Sequence, residues 1–178
     1  YNESEHDDGG GLLISGSSPK VINNTIAFNK SEVGEGIYIR GISSPDFINT
    51  IIYNNRDRYQ NVNLDDEIYI ESTSTTTRFT NCNIQAGIKG IVTYYSVEFS
   101  GTAKNNIDAP PLFKNAAAND FSLLWNMYPI ADNSKSPCID AGTLDAPHDP
   151  DGSTADIGAR HFHQFEGNFP PRVNFMAD

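Results

Sequence analysis

No stretch of this chain approaches the roughly 18 consecutive apolar residues of a membrane span, and no signal peptide stands at its start. A transmembrane helix is excluded. Basic residues are scarce: 12 Lys and Arg stand against 23 Asp and Glu, the net charge is −11, and the basic residues are scattered without a run. Nucleic acid and anionic membrane are therefore poor partners, and Ca²⁺ is a better one. The two cysteines, Cys82 and Cys138, say little. Two packed free thiols are expected, a single disulfide being the alternative. Also missing is any apolar 3.6-residue pattern long enough for a helix, because Gly, Ser-Pro and Asn-Asn steps break the chain every few residues. Helical repeats are excluded on that ground.

What the chain does have is self-similarity. Residues 9–30, GGGLLISGSSPKVINNTIAFNK, are followed by residues 34–55, GEGIYIRGISSPDFINTIIYNN. Gly11 matches Gly36, Leu12 matches Ile37, Ile14 matches Ile39, Asn24 matches Asn49 and Ile26 matches Ile51, all at an offset of 25. The Ser-Pro step slips by one, Pro19 to Pro45, so a loop is expected to take up one residue and give it back. A third, degraded copy carries Ile68-Tyr69-Ile70 and Phe79-Thr80-Asn81-Cys82-Asn83-Ile84. A fixed period of this size means stacked units.

Runs such as Ile37-Tyr38-Ile39 alternate, which is strand periodicity. About 25 residues with three short strands and three turns suit one coil of a parallel β-helix, each coil about 4.8 Å above the last. The fold class is thus all-β, a parallel β-helix solenoid, with inward columns Leu12/Ile37/Ile68, Ile14/Ile39/Ile70 and Ile26/Ile51/Ile84. Asn24, Asn49 and Cys82 are expected to form a structural ladder at a turn, with Asn55 at a looser turn. Three segments follow: coils over 1–104, a turn-rich cap over 105–165 that covers the last coil, and 166–178 as a linker or the start of a further domain. Sequons at Asn2, Asn23 and Asn29 matter only in a glycosylating source. The start at Tyr1, inside coil-like sequence, points to a fragment or a processed product.

The elements SSPKVINNTIAFN, GEGIYI, IDAPPLF, DFSLL, SPCIDAG and DPDGSTADIGA, between Gly9 and Phe162, resemble right-handed parallel β-helix proteins related to pectate lyases, which many bacteria secrete or display at the surface. NFPPRVNFMAD resembles the first strand of a polycystic-kidney-disease-type immunoglobulin-like domain, and a Pro-Pro linker is the plainer reading. The resemblance implies a large, multi-domain, extracellular protein.

Four groups are candidates for chemistry. Pectate lyases cluster basic side chains and Ca²⁺ on one face, but here Arg40 falls in a column with Ser15 and Glu71, and Lys20 with Asp46. The Asp7-Asp8 pair beside His6 resembles the paired aspartates of polygalacturonases, without that family's companion motifs. The outward column Leu13, Tyr38, Tyr69 offers aromatic faces to a glycan, or the rings stack on each other. Asp149, Asp151 and Asp156, around Gly152, place oxygen ligands for Ca²⁺ at alternating positions, or else cap turns. The expected function is a non-catalytic module of a larger secreted or cell-surface protein, structural or adhesive, binding a polysaccharide or another surface protein. Its rivals are a lyase or glycoside hydrolase with catalytic coils upstream, and a filament-forming structural protein.

Overall fold

The computed structural model describes residues 2, 9–57, 59, 67–71 and 76–164. Among the described residues fifteen short strands follow one another: β1 Leu12–Ser15, β2 Lys20–Ile22, β3 Thr25–Ala27, β4 Lys30–Ser31, β5 Ile37–Arg40, β6 Asp46–Ile48, β7 Ile51–Tyr53, β8 Arg56–Asp57, β9 Ile68–Ile70, β10 Arg78–Thr80, β11 Asn83–Ile84, β12 Ile91–Thr93, β13 Thr102–Lys104, β14 Phe113–Asn115 and β15 Asp120–Leu123. Eleven of them form three parallel stacks, β1-β5-β9-β12, β2-β6-β10-β13 and β3-β7-β11, and β4 pairs with β8 in a short parallel sheet of its own. Each circuit of the chain adds one strand to each stack, so the described residues make a solenoid of four coils. The fourth was not visible as a repeat. Its third strand is reduced to a single bridge, Ile107 on Asn83.

Two of the expected columns form. Leu12 pairs with Ile37 and Ile37 with Ile68, and Ile14 pairs with Ile39 and Ile39 with Ile70. Phe47 and Phe79 stack inside the second sheet, 4.9 Å apart with planes at 12°. These residues, with Ile52, Ile84 and Cys82, make one continuous core.

The third column is corrected. The one-residue slip at the Ser-Pro step is never given back: from Lys20 on Asp46 to Lys30 on Arg56 the offset stays at 26. Ser43 Oγ accepts from Ser17 N, and Ser18 Oγ accepts from Ser44 N, so the extra residue is Ile42, which stands 83% exposed. Ile26 therefore lies on Ile52, and Ile52 on Ile84, while Ile51 points outward. A one-residue shift exchanges the two faces of a strand. Here both faces are covered, so Ile51 and Ile52 are both fully buried.

That second cover is the C-terminal segment. Where it was expected over the last coil, its contacts run along the flank of the third sheet. Gly158 N donates to Asn49 O and Ala159 N to Thr25 Oγ1, while Asn81 Nδ2 donates to Ala141 O and Asn83 Nδ2 to Ala109 O. Those four partners belong to coils 1, 2 and 3. Ile51 joins Leu123, Cys138, Ile139 and Ile157 in a second core, and Phe28 packs against Phe113 and Phe121. The antiparallel pair β14-β15 stands at the start of this flank.

Candidate functional site

The expected ladder divides into three columns. Asn49 does not stack with Asn24 and Cys82; the slip puts Thr50 in its place, since Asn24 N donates to Thr50 Oγ1 and Cys82 N to Asn106 Oδ1. Asn49 stands instead with Asn23, Asn81 and Asn105, all left-handed at φ 48 to 54°. Asparagine is the side-chain-bearing residue that enters this region most easily, which explains the repeat. Two of these amides dock the flank: Asn81 Nδ2 donates to Ala141 O and Asn49 Oδ1 accepts from Thr143 N, while Asn49 Nδ2, fully buried, has no partner.

The third column was missed, and it is a buried polar array. Asn55, expected at a looser turn, is 5% exposed. Its Oδ1 accepts from both N and Nδ2 of Asn29, and its Nδ2 donates to Glu67 Oε2 at 2.6 Å and to Ile26 O. Asn55 N donates to Glu67 Oε1. Burial pushes the Glu67 carboxyl up to about 7 from its usual 4.5, against the pull of the Asn55 hydrogen bonds. The signal in the sequence was the Asn at 29 and again at 55, spaced 26 apart; nothing marked Glu67.

The Asp149 to Asp156 loop is held by its own main chain. Asp156 accepts from Asp140 N and Phe162 N, Asp149 Oδ2 from Asp156 N, and Asp151 from Ser153 N, Ser153 Oγ and Gln164 N. Burial, added to by the charges of Asp149 and Asp140, raises Asp156 to about 7 in spite of its two amide donors. Burial raises Asp149 as well. Burial works the same way on Asp151, but its donors outweigh it and bring the group to about 2. These aspartates serve the turn as accepting groups, and no group of three or more His, Cys, Asp or Glu among the described residues is placed to hold a metal ion. His148, Asp149, Asp156 and His161 border a cleft of about 220 Å³ against Asn23 of the first coil. His148 Nδ1 lies 2.9 Å from Ser153 O.

The other candidates separate. Tyr38 and Tyr69 lie in register, rings 5.3 Å apart at 18°, but Tyr38 is buried and offers no open face to a sugar. Arg40 pairs with Ser15 in the preceding coil, 3.3 Å from Nε to Oγ. His6, Asp7 and Asp8 lie outside the described residues. Cys82 and Cys138 are both free and buried, and burial lifts their thiols to about 12 and about 11.

Stacked parallel strands, three to a coil, are one decisive observation; the other is that the family model described as a right handed beta helix region matches residues 1–118. The chain belongs to that family. No curated protein and no solved structure matches it. No helix among its described residues is long and apolar enough to cross a membrane.

Proposed function

We propose that this chain is a non-catalytic β-helix module of a larger secreted or cell-surface protein, structural or adhesive in role, which contacts a polysaccharide or another surface protein. One observation carries the reading: the groups that looked most like chemistry are committed to the fold. Asp156 and Glu67, the carboxyls with the largest upward shifts, are each bound by two donors within the chain. Polygalacturonate lyases need a basic cluster, and the strand partner of Arg40 is the neutral Ser15. The resemblance to pectate-lyase relatives, and of residues 166–178 to the opening of an immunoglobulin-like domain, fits such a multi-domain protein; that tail lies outside the described residues.

A second reading, acid–base hydrolysis, is favoured by one observation. Asp149 and Asp156, both raised, border the same cleft as His148 and His161. One experiment separates the two. The purified chain is incubated with polygalacturonate, alginate, chondroitin and neutral xylan, with and without Ca²⁺, and both unsaturated ends and new reducing ends are measured. The proposal expects neither product. A product lost on Asp149→Asn would establish the second reading.

A further inference from the structure

The sequence carries three sequons, and the fold treats them differently. Asn29 is 6% exposed, its Nδ2 donates to Asn55 Oδ1, and a single carbon added at Gly11 would stand 2.7 Å from that nitrogen. The folded chain has no room for a sugar there. The sequon at Asn2 runs into Glu3 and Ser4, outside the described residues. Asn23-Asn24-Thr25 stands at the turn between the second and third sheets, where Asn23 is exposed. Asn23 also differs from the other members of its column. Asn49 and Asn81, one and two coils on, hold the flank through Thr143 N and Ala141 O. The Asn23 amide has no hydrogen-bond partner among the described residues, although the flank comes as near as Thr25, whose Oγ1 accepts from Ala159 N. Between the two lies the cleft of about 220 Å³ that Asn23 borders with His148, Asp149, Gly158 and His161. Its polar groups have capacity left: Asp149 accepts from Asp156 N through Oδ2 and keeps Oδ1, and with Nδ1 of a neutral His148 donating to Ser153 O, Nε2 is an acceptor. The volume is below the roughly 300 Å³ at which pockets for drug-sized ligands begin, and suits one sugar ring.

We infer that Asn23 is an N-glycosylation site and that the first sugar of its glycan sits in this cleft, between the first coil and the flank. In the transfer, Asn23 Nδ2 displaces a lipid pyrophosphate from the anomeric carbon of an activated sugar. The N–C bond forms, the C–O bond to the pyrophosphate breaks and its electron pair leaves with the pyrophosphate, and Nδ2 gives up one proton to the transferase. The flank is synthesised after the sequon, so the sugar is in place before the cleft closes around it. Asp149 and His148 then accept from its hydroxyls, as Asn49 and Asn81 bond the flank one and two coils on. The site lies on the side of the solenoid and uses neither end of the chain. It rests on the reading of the protein as secreted or surface-displayed, since N-glycans are added to exported chains. A sugar held there would keep substrate out of the cleft, which sets the inference against the hydrolytic reading.

The test is mass spectrometry of the protein recovered from its own source, with cell interior and exterior collected apart. Trypsin releases residues 21–30, which hold both Asn23 and Asn29, and enzymatic deglycosylation in heavy-oxygen water marks the attachment point as a labelled aspartate. Label at position 23 and none at 29 is expected. Exterior protein that is unmodified at 23, or labelled at 29, would overturn the inference and leave the secreted reading standing; unmodified protein confined to the interior would overturn both. A second measurement probes the cleft without the source. Asn23→Cys is alkylated with iodoacetamide in one sample and with the iodoacetamide derivative of N-acetylglucosamine in another, Cys82 and Cys138 being fully buried. The left-handed backbone at position 23 strains both adducts alike. The sugar adduct should melt about 2–4 °C higher, the shift of one net hydrogen bond in a chain of this size, while the same two adducts at the exposed Thr102 should melt together. Equal melting of the two adducts at position 23 would overturn the placement of the sugar in the cleft.

Discussion

Asn55→Ala removes the centre of a buried array. Truncation strips partners from Glu67 Oε2, Ile26 O, Asn29 N and Asn29 Nδ2 at once. At about 1–3 kcal/mol for each buried group left unpaired, the ceiling is high. Two effects lower it: water can enter the space vacated by the amide, and Glu67, already shifted to about 7, can take a proton. A loss of about 4 kcal/mol is expected. Asn49→Ala gives up one bond, from Thr143 N, and places alanine at φ 48°, for about 2 kcal/mol. Urea denaturation at pH 5.5 and pH 8 reads both. Because the proton rescues Glu67, the Asn55 variant should lose more at pH 8 than at pH 5.5, and the Asn49 variant should lose the same at both. A loss below about 1 kcal/mol at Asn55, unchanged with pH, would refute the ladder as drawn.

The parent itself should have a stability maximum in mildly acidic solution. Glu67 and Asp156 are raised in the fold, so the stability they add is complete below their unfolded values near 4 and is lost as pH rises through about 7; for Glu67 the ceiling is about 3 kcal/mol. Asp151 is lowered, so its share holds above its unfolded value and is lost as pH falls toward 2. Melting temperature should therefore rise from pH 8 to pH 5.5 and fall again below pH 4, and a steady rise through neutrality would contradict this. Since the aspartates of the flank loop are satisfied by amides, chelator should leave the melting temperature unchanged while Asp151→Asn costs about 1–2 kcal/mol. A chelator-dependent fall that Asp151→Asn abolishes would show instead that the loop holds a cation.

How far the sequence could be read was decided by which contacts are local. Alternation in Ile37-Tyr38-Ile39 and its copies revealed strands, stacking and the first sheet in correct register, because inward isoleucines leave a period-2 trace wherever they stack. Ile42 broke that inference. One added loop residue looks, on paper, like a temporary slip; the strand pairings reveal that it is permanent, and the Ser17 and Ser44 hydrogen bonds place it at Ile42. Ile51 and Ile52 compounded the error: both are apolar, because the core takes one and the flank takes the other, so composition could not say which points in. The same double covering explains why a lid was expected where a flank exists, as turn-rich sequence with isolated anchors reads alike in both. Of the candidate site residues, the Asp149 to Asp156 loop was visible as a turn rich in acceptors. Glu67 was not, since its partners lie 12 residues away and its burial depends on a coil stacked above it.

Columns, ladders and flank all depend on one register, and removing Ile42 tests it most directly. Deletion should turn Gly-Ile-Ser-Ser-Pro into the Gly-Ser-Ser-Pro of the first coil and leave every pairing from Asp46 onward untouched. The expected result is cooperative melting with stability changed by less than about 1 kcal/mol. Deletion of Thr50 in parallel should abolish cooperative melting, because it turns β7 over between core and flank. Unfolding on loss of Ile42, with Thr50 dispensable, would contradict the register and the columns built on it.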